Sequence, residues 1–510
     1  MGNSNAQGAV VPQAGRIRVT ASPNVVVIGG GTAGCVVAGR LAERADRQVL
    51  LIEAGPDYGS RASGRWPGDL LDASTLPTSH DWGYGGPGSG GRALAFDRAR
   101  VMGGCSTHNG CTQSWGWSGD YDRWAASGLA GWAADDLRPH FDAATERMRV
   151  HRFAESEVQP FHRAFVDACE AEGIPRVADL DSLDGGIGVD VSPVNIVDGV
   201  RWNASFAYID PVRERGHLEI WHDTSALRIV IKSGRVTGVE IIKDSVMTVV
   251  SCDQVVLCAG AYGTPEILMR SGIGRSEDLA SLGVETQVEL PGVGGNLHDH
   301  PAVTLEFDAS SELVKQLDAF RAEHGWLPEE QALAKVSSSS SQGPFDLHIY
   351  PWVEPRPDSP TGWAAIVPVS LLTPTSRGRL RMGSDGGFVP DHAYLAAPSD
   401  RASMADGLAT AQRLCAGDQL APLLGTRLNP QQPEEGVDSW MTRTHSHYWH
   451  PAGTAAMGLA ERGGVCDADG RVHGVAGLTL ADASIFPEVP RSTPALPVVV
   501  VGERIAASMK

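Results

Sequence analysis

A chain of 510 residues exceeds one ordinary hydrophobic core, and 42 % hydrophobic against 20 % charged residues describes a folded protein of two domains. A net charge of −19 excludes the clustered lysine and arginine that nucleic acid or an anionic membrane surface requires, leaving small-molecule chemistry. Eight cysteines without a CxxC pair fit neither a disulfide framework nor a zinc site and indicate a reducing compartment.

The first fifteen residues, MGNSNAQGAVVPQAG, have no basic start and no apolar stretch of signal length. A myristoylation reading of Gly2 fails at Ala6, where the motif wants Ser or Thr. No run approaches the roughly 18 apolar residues of a spanning helix. A cytoplasmic protein is the expectation, with no nucleic acid and no membrane span among its partners.

The first regular element is NVVVIGGG, a β-branched run that breaks into glycines before TAGCVVAGRLAERA, whose apolar residues recur at helical spacing. Gly29, Gly31 and Gly34 fill a GxGxxG pattern: a tight turn, close approach to a pyrophosphate, and packing of helix on strand. A second strand, QVLLIEAG, ends at Glu53, where a carboxylate accepts from ribose hydroxyls and repels the 2′-phosphate of NADP. FAD and NAD both satisfy this unit. Residues 55–120 then run rich in Gly, Pro, Ser and Trp instead of continuing as regular βα units, and a long irregular segment inside a compact protein is usually functional.

Further on, DLRPHFDAATERM and FHRAFVDACEAEG are amphipathic scaffold helices. DQVVLCAG is a short buried strand followed by a helix over AYGTPEILMR that Gly272 stops. AKVSSSSSQG is the one low-complexity run and reads as a mobile loop suited to a lid. FDLHIYPWVEP alternates as a strand, with His348, Tyr350 and Trp352 as cavity candidates and a satisfied sheet residue as the plainer reading of each. The chain closes with a proline and an apolar helix, PALPVVVVGERIAASMK.

These motifs together resemble the glucose–methanol–choline (GMC) oxidoreductases, from about Asn24 to Met509 and most weakly between 306 and 440. The resemblance rests on VVIGGGTAG with Glu53, RARVMGGCSTHNG, GWAADDLRPHF, GAYGTPEILMRSGIG, PGVGGNLHDHP, YWHPAGTAAMG and GLTLADASIFPEVP. It implies an α/β fold: a Rossmann-like FAD-binding domain of the glutathione-reductase type, and an α+β substrate domain built on an antiparallel sheet. The expected division gives residues 15–150, 219–305 and 466–510 to the discontinuous FAD domain, and 151–218 and 306–465 to the substrate domain.

The resemblance also implies site residues. Gly29, Gly31, Gly34 and Glu53 become dinucleotide contacts; Gly103, Gly104, Cys105 and Asn109 lie in the loop along the isoalloxazine; the Leu227 main chain meets the adenine. Asp482 and Ala483 serve the diphosphate and ribityl end, while Pro494 and Ala495 open a helix whose positive end faces the flavin N1–C2=O edge. In the choline-oxidising members, whose loop is nearest to VMGGCSTHNGC, the histidine equivalent to His108 is bonded to the flavin. FAD tethered through His108 is therefore implied, the alternative being a free histidine packed on the ring.

Among His445, His447 and His450, periodicity does not choose; the family's HPxGT segment makes His450 the general base for alcohol oxidation. The partner position near the last helix holds Thr493 in place of the family's His or Asn, and a threonine hydroxyl carries no positive charge, so Arg491 or another pocket group would have to compensate. Thr373 stands where the choline-oxidising members bring a further histidine, and no acid aligns with their cation-binding glutamate, which argues against choline. The expected partners are a small alcohol and O₂ or another electron acceptor, with the oligomeric state open. The alternative is a relative that does not oxidise alcohols, of the lyase or photodecarboxylase type known on this scaffold.

Overall fold

In the computed structural model, residues 23–383, 387–429 and 436–509 are described. A five-stranded parallel sheet forms first in logic if not in chain order: Leu478–Leu480, Val255–Leu257, Val25–Ile28, Val49–Ile52 and Leu218–Trp221 lie side by side. Val25–Ile28 and Val49–Ile52 are buried at every position, which is why they read as continuous apolar runs without alternation. The helix Thr32–Ala42 follows the first strand and packs against the terminal helix Ala495–Ser508. Gly502 allows that packing, since a Cβ there would stand 2.7 Å from Val36 Cβ.

An antiparallel sheet of Thr224–Lys232, Arg235–Lys243 and Val246–Ser251 continues from the parallel sheet's edge strand. A larger, eight-stranded sheet runs Leu424–Arg427, Pro301–Ala309, Trp363–Leu371, Leu347–Ile349, Ala332–Val336 and Gly188–Val191, with Trp352–Pro355 and Ser446–His447 joining off that path. All its pairings are antiparallel. Helices Pro160–Ala171, Ser311–His324 and Pro398–Ala416 bury its apolar face in a second hydrophobic core. Two cores result, one around the parallel sheet and one around the large antiparallel sheet. Trp202, Phe206, Tyr208 and Val212 pack into the first core, although the sequence division grouped their segment with the substrate part.

Two expectations change in the structure. AKVSSSSSQG begins as part of the strand Ala332–Val336, and its serines are anchored. Ser338 bonds to both oxygens of Asp346 (2.7 and 2.6 Å), and Ser339 bonds to Asp406 of helix Pro398–Ala416 (2.8 and 2.6 Å). Asp346, just beyond the run, and Asp406, on a helix some 65 residues on, hold the run in place. FDLHIYPWVEP is two strands broken at Tyr350–Pro351, because Pro351 lacks the N–H a continuous ladder needs. Among the described residues, no helix is long and apolar enough to cross a membrane.

Candidate active site

The glycine turn and the segment after Arg98 are built against each other. Gly29 takes φ +94°, and a Cβ on it would stand 2.5 Å from the Cys258 carbonyl oxygen. The Gly103 amide donates to the Gly30 carbonyl (2.7 Å), and a Cβ on Gly104, itself at φ +53°, would meet Gly31 Cα at 2.5 Å. Helix Thr32–Ala42 starts at Gly31 with no side-chain cap and no acid in its first turn. Its first amides are therefore available to an anion, and the glycines leave open the cradle that a pyrophosphate needs. Glu53, only 6 % exposed, accepts from the Gly30 and Gly55 amides (2.7 Å each). Burial outweighs these two bonds and pushes its carboxyl up to about 7.

Leu227 sits at an irregularity in its strand. Ala226 pairs with Ile241 and Arg228 with Glu240, so Leu227 is the extra residue of a bulge. A bulge residue's main chain is left out of the ladder, which fits the contact the resemblance implies. The strand is joined to the dinucleotide turn through the Thr224 amide and the Glu53 carbonyl (2.9 Å).

The flavin loop is a short 3-10 turn, Gly104–Thr107, closed by His108 and Asn109, whose amides both donate to the Cys105 carbonyl (3.1 Å). Cys105, His108 and Asn109 are each half-buried. Arg201, fully buried, clamps the loop by donating to the carbonyls of Asn109 (2.8 Å), Leu70 (3.0 Å) and Thr75 (2.7 Å). His108 Nε2 is buried without a hydrogen-bond partner, and burial, aided by the Arg201 charge, pushes the imidazole down to about 4. A neutral ring with an unspent nitrogen is what a covalent tether requires.

Asp482 accepts from the Gly260 amide (2.9 Å), the Thr264 hydroxyl (2.6 Å) and the Ser484 amide (2.7 Å), tying the last parallel strand to the start of helix Gly260–Arg270. The next carbonyl, of Ala483, accepts from the Gly453 amide (3.1 Å), three residues after His450. Pro494 and Ala495 are half-buried at the start of the terminal helix, whose first turn has no acid and no side-chain cap. Thr493 donates its hydroxyl proton to the Thr112 carbonyl (3.1 Å), joining this helix to the flavin loop.

The three candidate histidines part company in the structure. His445 Nε2 accepts from the Ser89 amide (2.9 Å), and His447 bonds through Nε2 to the Ala95 carbonyl (2.8 Å), so backbone groups occupy both. His450 meets another imidazole: its Nδ1 lies 2.9 Å from Nδ1 of His300. The PGVGGNLHDHP and YWHPAGT segments zip together to hold the pair, with Pro301 opposite His447, the Tyr448 amide on the His300 carbonyl (3.0 Å), and Ala452 bridged to His298. Trp449 takes φ +60°, a costly conformation for a bulky residue, and the strain turns the chain immediately before His450. Asp299 fixes the turn by accepting from the His450 amide and the Tyr394 hydroxyl (2.8 Å each). Burial drives His450 well below the ordinary imidazole value, with the neighbouring His300 and His348 adding to the effect, and His300 falls to about 3 for the same first reason. Both rings are therefore neutral, and one of the two facing nitrogens carries the shared proton.

His300 was not singled out by the sequence. Its motif is visible, but nothing in NLHDHP distinguishes His300 from His298, which the structure assigns to scaffolding: Nδ1 on the Asn296 carbonyl (2.6 Å), Nε2 accepting from Val489 (2.8 Å). Tyr448 stands over His450 (ring centroids 4.2 Å apart) and stacks on Tyr350 at 4.4 Å. Arg491 lies over the Trp117 ring, and its main-chain amide donates to Asp120 (2.8 Å).

Two family models, both described as GMC oxidoreductase, match residues 24–302 and 374–502. The chain is 32 % identical to choline oxidase from Arthrobacter globiformis, covering 94 % of this chain and 93 % of that protein. It is 31 % identical to 5-(hydroxymethyl)furfural oxidase from Methylovorus sp. (strain MP688), over 94 % and 97 % of the two chains. The crystal structure of pyridoxine 4-oxidase from Mesorbium loti superposes with a TM-score of 0.84 at 28 % identity, covering 96 % of this chain and 99 % of that one.

Proposed function

This chain belongs to the GMC oxidoreductases, FAD-dependent enzymes acting on CH–OH donors, and from that premise we propose that it oxidises a primary or secondary alcohol to the carbonyl with His450 as general base. The observation that carries this reading is the His300–His450 contact, with Nε2 of His450 left without a partner among the described residues. FAD, when bound, supplies the acceptor for the hydride that leaves the carbinol carbon.

The chain's own part is proton management. His450 donates Nδ1–H to His300, which leaves the Nε2 lone pair for the substrate hydroxyl. On taking the proton, His450 becomes a cation whose Nδ1–H bond to neutral His300 strengthens, so the pair spreads a charge that Thr493 could not carry. Thr493 has spent its proton on Thr112 and has none to offer the substrate oxygen, so we assign it to holding loop to helix. The Asp299 bond fixes the His450 main chain, so the base does not swing away from the substrate.

The dinucleotide is assigned to Gly29, Gly31, Gly34, Glu53, Leu227, Asp482 and Ala483, and the flavin ring to Gly103, Gly104, Cys105, His108, Asn109, Pro494 and Ala495. His108 is the proposed tether, through the Nε2 that has no other partner. In acid-precipitated protein the yellow colour is expected to stay with the pellet, and in His108→Ala it should pass to the supernatant; free flavin from the unaltered protein would end the tether assignment. The activity itself is tested by anaerobic bleaching of the bound flavin with a panel of alcohols, then re-oxidation by oxygen or a dye. No bleaching by any alcohol would remove the alcohol-oxidising reading in favour of a relative with other chemistry.

A further inference from the structure

The segment that delivers His450 is held by two separate parts of the chain. Ser446–His447 pairs with Pro301–Ala302 of the large sheet, and a two-stranded hairpin, Tyr84–Pro87 with Ala93–Phe96, is fastened along the same residues. The fastenings fall on alternate positions. His445 Nε2 accepts from the Ser89 amide (2.9 Å), and the His445 carbonyl takes the Arg92 guanidinium. His447 Nε2 meets the Ala95 carbonyl (2.8 Å). The Trp449 carbonyl accepts from Arg98 (3.1 Å), and its indole N–H donates to Asp97 (3.4 Å). Residues 445, 447 and 449 thus run in step with 89–98, while Tyr448 between them turns to His450 and Tyr350, the period-two alternation of an extended chain.

His447 spends both ring nitrogens on this arrangement. A carbonyl only accepts, so Nε2 carries the proton toward Ala95; Nδ1 is then a lone pair, and it takes the Trp449 amide (3.3 Å). Two backbone groups therefore fix one neutral tautomer. Trp449 is the residue at φ +60°, and a bulky side chain keeps that conformation only where its surroundings impose it. The next amide, of His450, is held by Asp299 (2.8 Å), so two successive amides of the turn are taken by two side chains from different segments.

The imidazole has little freedom of its own. It is 5 % exposed and sits edge-on to Phe96 (ring centroids 5.2 Å apart) and to Trp449 (4.9 Å). Burial pushes it down to about 4, so the tautomer that makes both bonds persists throughout the neutral range. The hairpin depends on such fastenings in turn, because two strands alone are marginal in water and its turn passes through Gly90 and Gly91 at φ +69° and +78°.

We propose that His447 is a positioning residue for the oxidation: its one imidazole ties the strained Trp449 turn to the hairpin limb Ala93–Phe96 and so sets the direction in which His450 meets the substrate. This inference rests on the alcohol-oxidising reading for its effect on rate, and on none of it for the tie.

Three substitutions in the flavin-loaded protein separate the two bonds. His447→Asn places an amide oxygen where Nδ1 stands and keeps the Trp449 bond, His447→Gln places an amide nitrogen near Nε2 and keeps the Ala95 bond, and His447→Phe fills the space and keeps neither. With benzyl alcohol, or whichever panel alcohol bleaches the flavin fastest, His447→Phe should lower the limiting rate of anaerobic reduction by about tenfold to a hundredfold while the alcohol's apparent Kd moves by less than about twofold. His447→Asn should recover most of the rate and His447→Gln little of it. Hydrogen exchange read by mass spectrometry should show residues 445–450 exchanging about tenfold faster in the Phe and Gln variants and unchanged in Asn. An unchanged rate in His447→Phe, equal losses in Phe and Asn, or exchange that does not follow the lost bond overturns the assignment. Should His447→Phe fail to fold, the Asn and Gln variants carry the same comparison. If no alcohol reduces the flavin, exchange still decides the tie, and the alcohol-oxidising reading alone falls.

Discussion

Replacing His450 by alanine is expected to slow anaerobic reduction of the bound flavin by an alcohol about a thousandfold, the middle of the range for losing a general base. The flavin should stay bound, since His450 is assigned to the substrate and none of the dinucleotide contacts depends on it. His300→Ala should cost less, because the base survives and only its charge-sharing partner is lost; equal losses would mean that the two rings act as one unit. The pH profile carries the sign. An imidazole pushed well below its ordinary value is neutral, and so competent as a base, throughout the neutral range. Activity should therefore hold through pH 6.5 and fall only in more acid solution, as His450 becomes protonated. An acid limb centred at or above 6.5, or turnover that survives His450→Ala, would assign the proton to another group.

The second large effect is at Gly34. A Cβ there would collide with the Gly29 carbonyl oxygen and approach Cys258 Cβ at 3.2 Å, and neither the turn nor the helix can withdraw without opening the parallel sheet. Gly34→Val should cost about 4 kcal/mol or more, the range reached by severe core clashes, and should yield protein without yellow colour. Gly68→Ala is the control. That glycine lies in the helix Gly68–Leu71 with nothing within 4 Å of the added carbon, so flavin content should be unchanged and stability equal or higher by up to about 1 kcal/mol. A Gly34→Val protein that folds and binds flavin normally would show that the strand and helix are not in the close contact described.

Each half of this chemistry was legible to a different degree. The dinucleotide turn is a local object: strand, three glycines, helix and an acid at the next strand end occupy thirty residues, and their spacing alone constrains what they bind. The flavin loop and the His450 segment were legible through motifs of the same local kind. What escaped lies between segments. His300 acquires its place only because Pro301–Ala309 pairs with Ser446–His447, some 150 residues away. His447 acquires its tie to Ala95 only because the hairpin limb Ala93–Phe96, some 350 residues away in the chain, is laid along the same segment. The serine run shows the converse error: its composition suggests mobility, while the adjacent Asp346 and Asp406 of helix Pro398–Ala416 hold it.

By itself, then, the sequence determined the nucleotide-binding unit, the order of the family's motifs and the short list of histidines, because these depend on backbone conformation and periodicity within a few turns of chain. Only the tertiary structure decided which of the three candidate histidines meets another imidazole and which group shares its proton. Those properties belong to hydrogen-bond partners and burial, and a side chain's partners are set by whichever distant segment the sheet brings beside it.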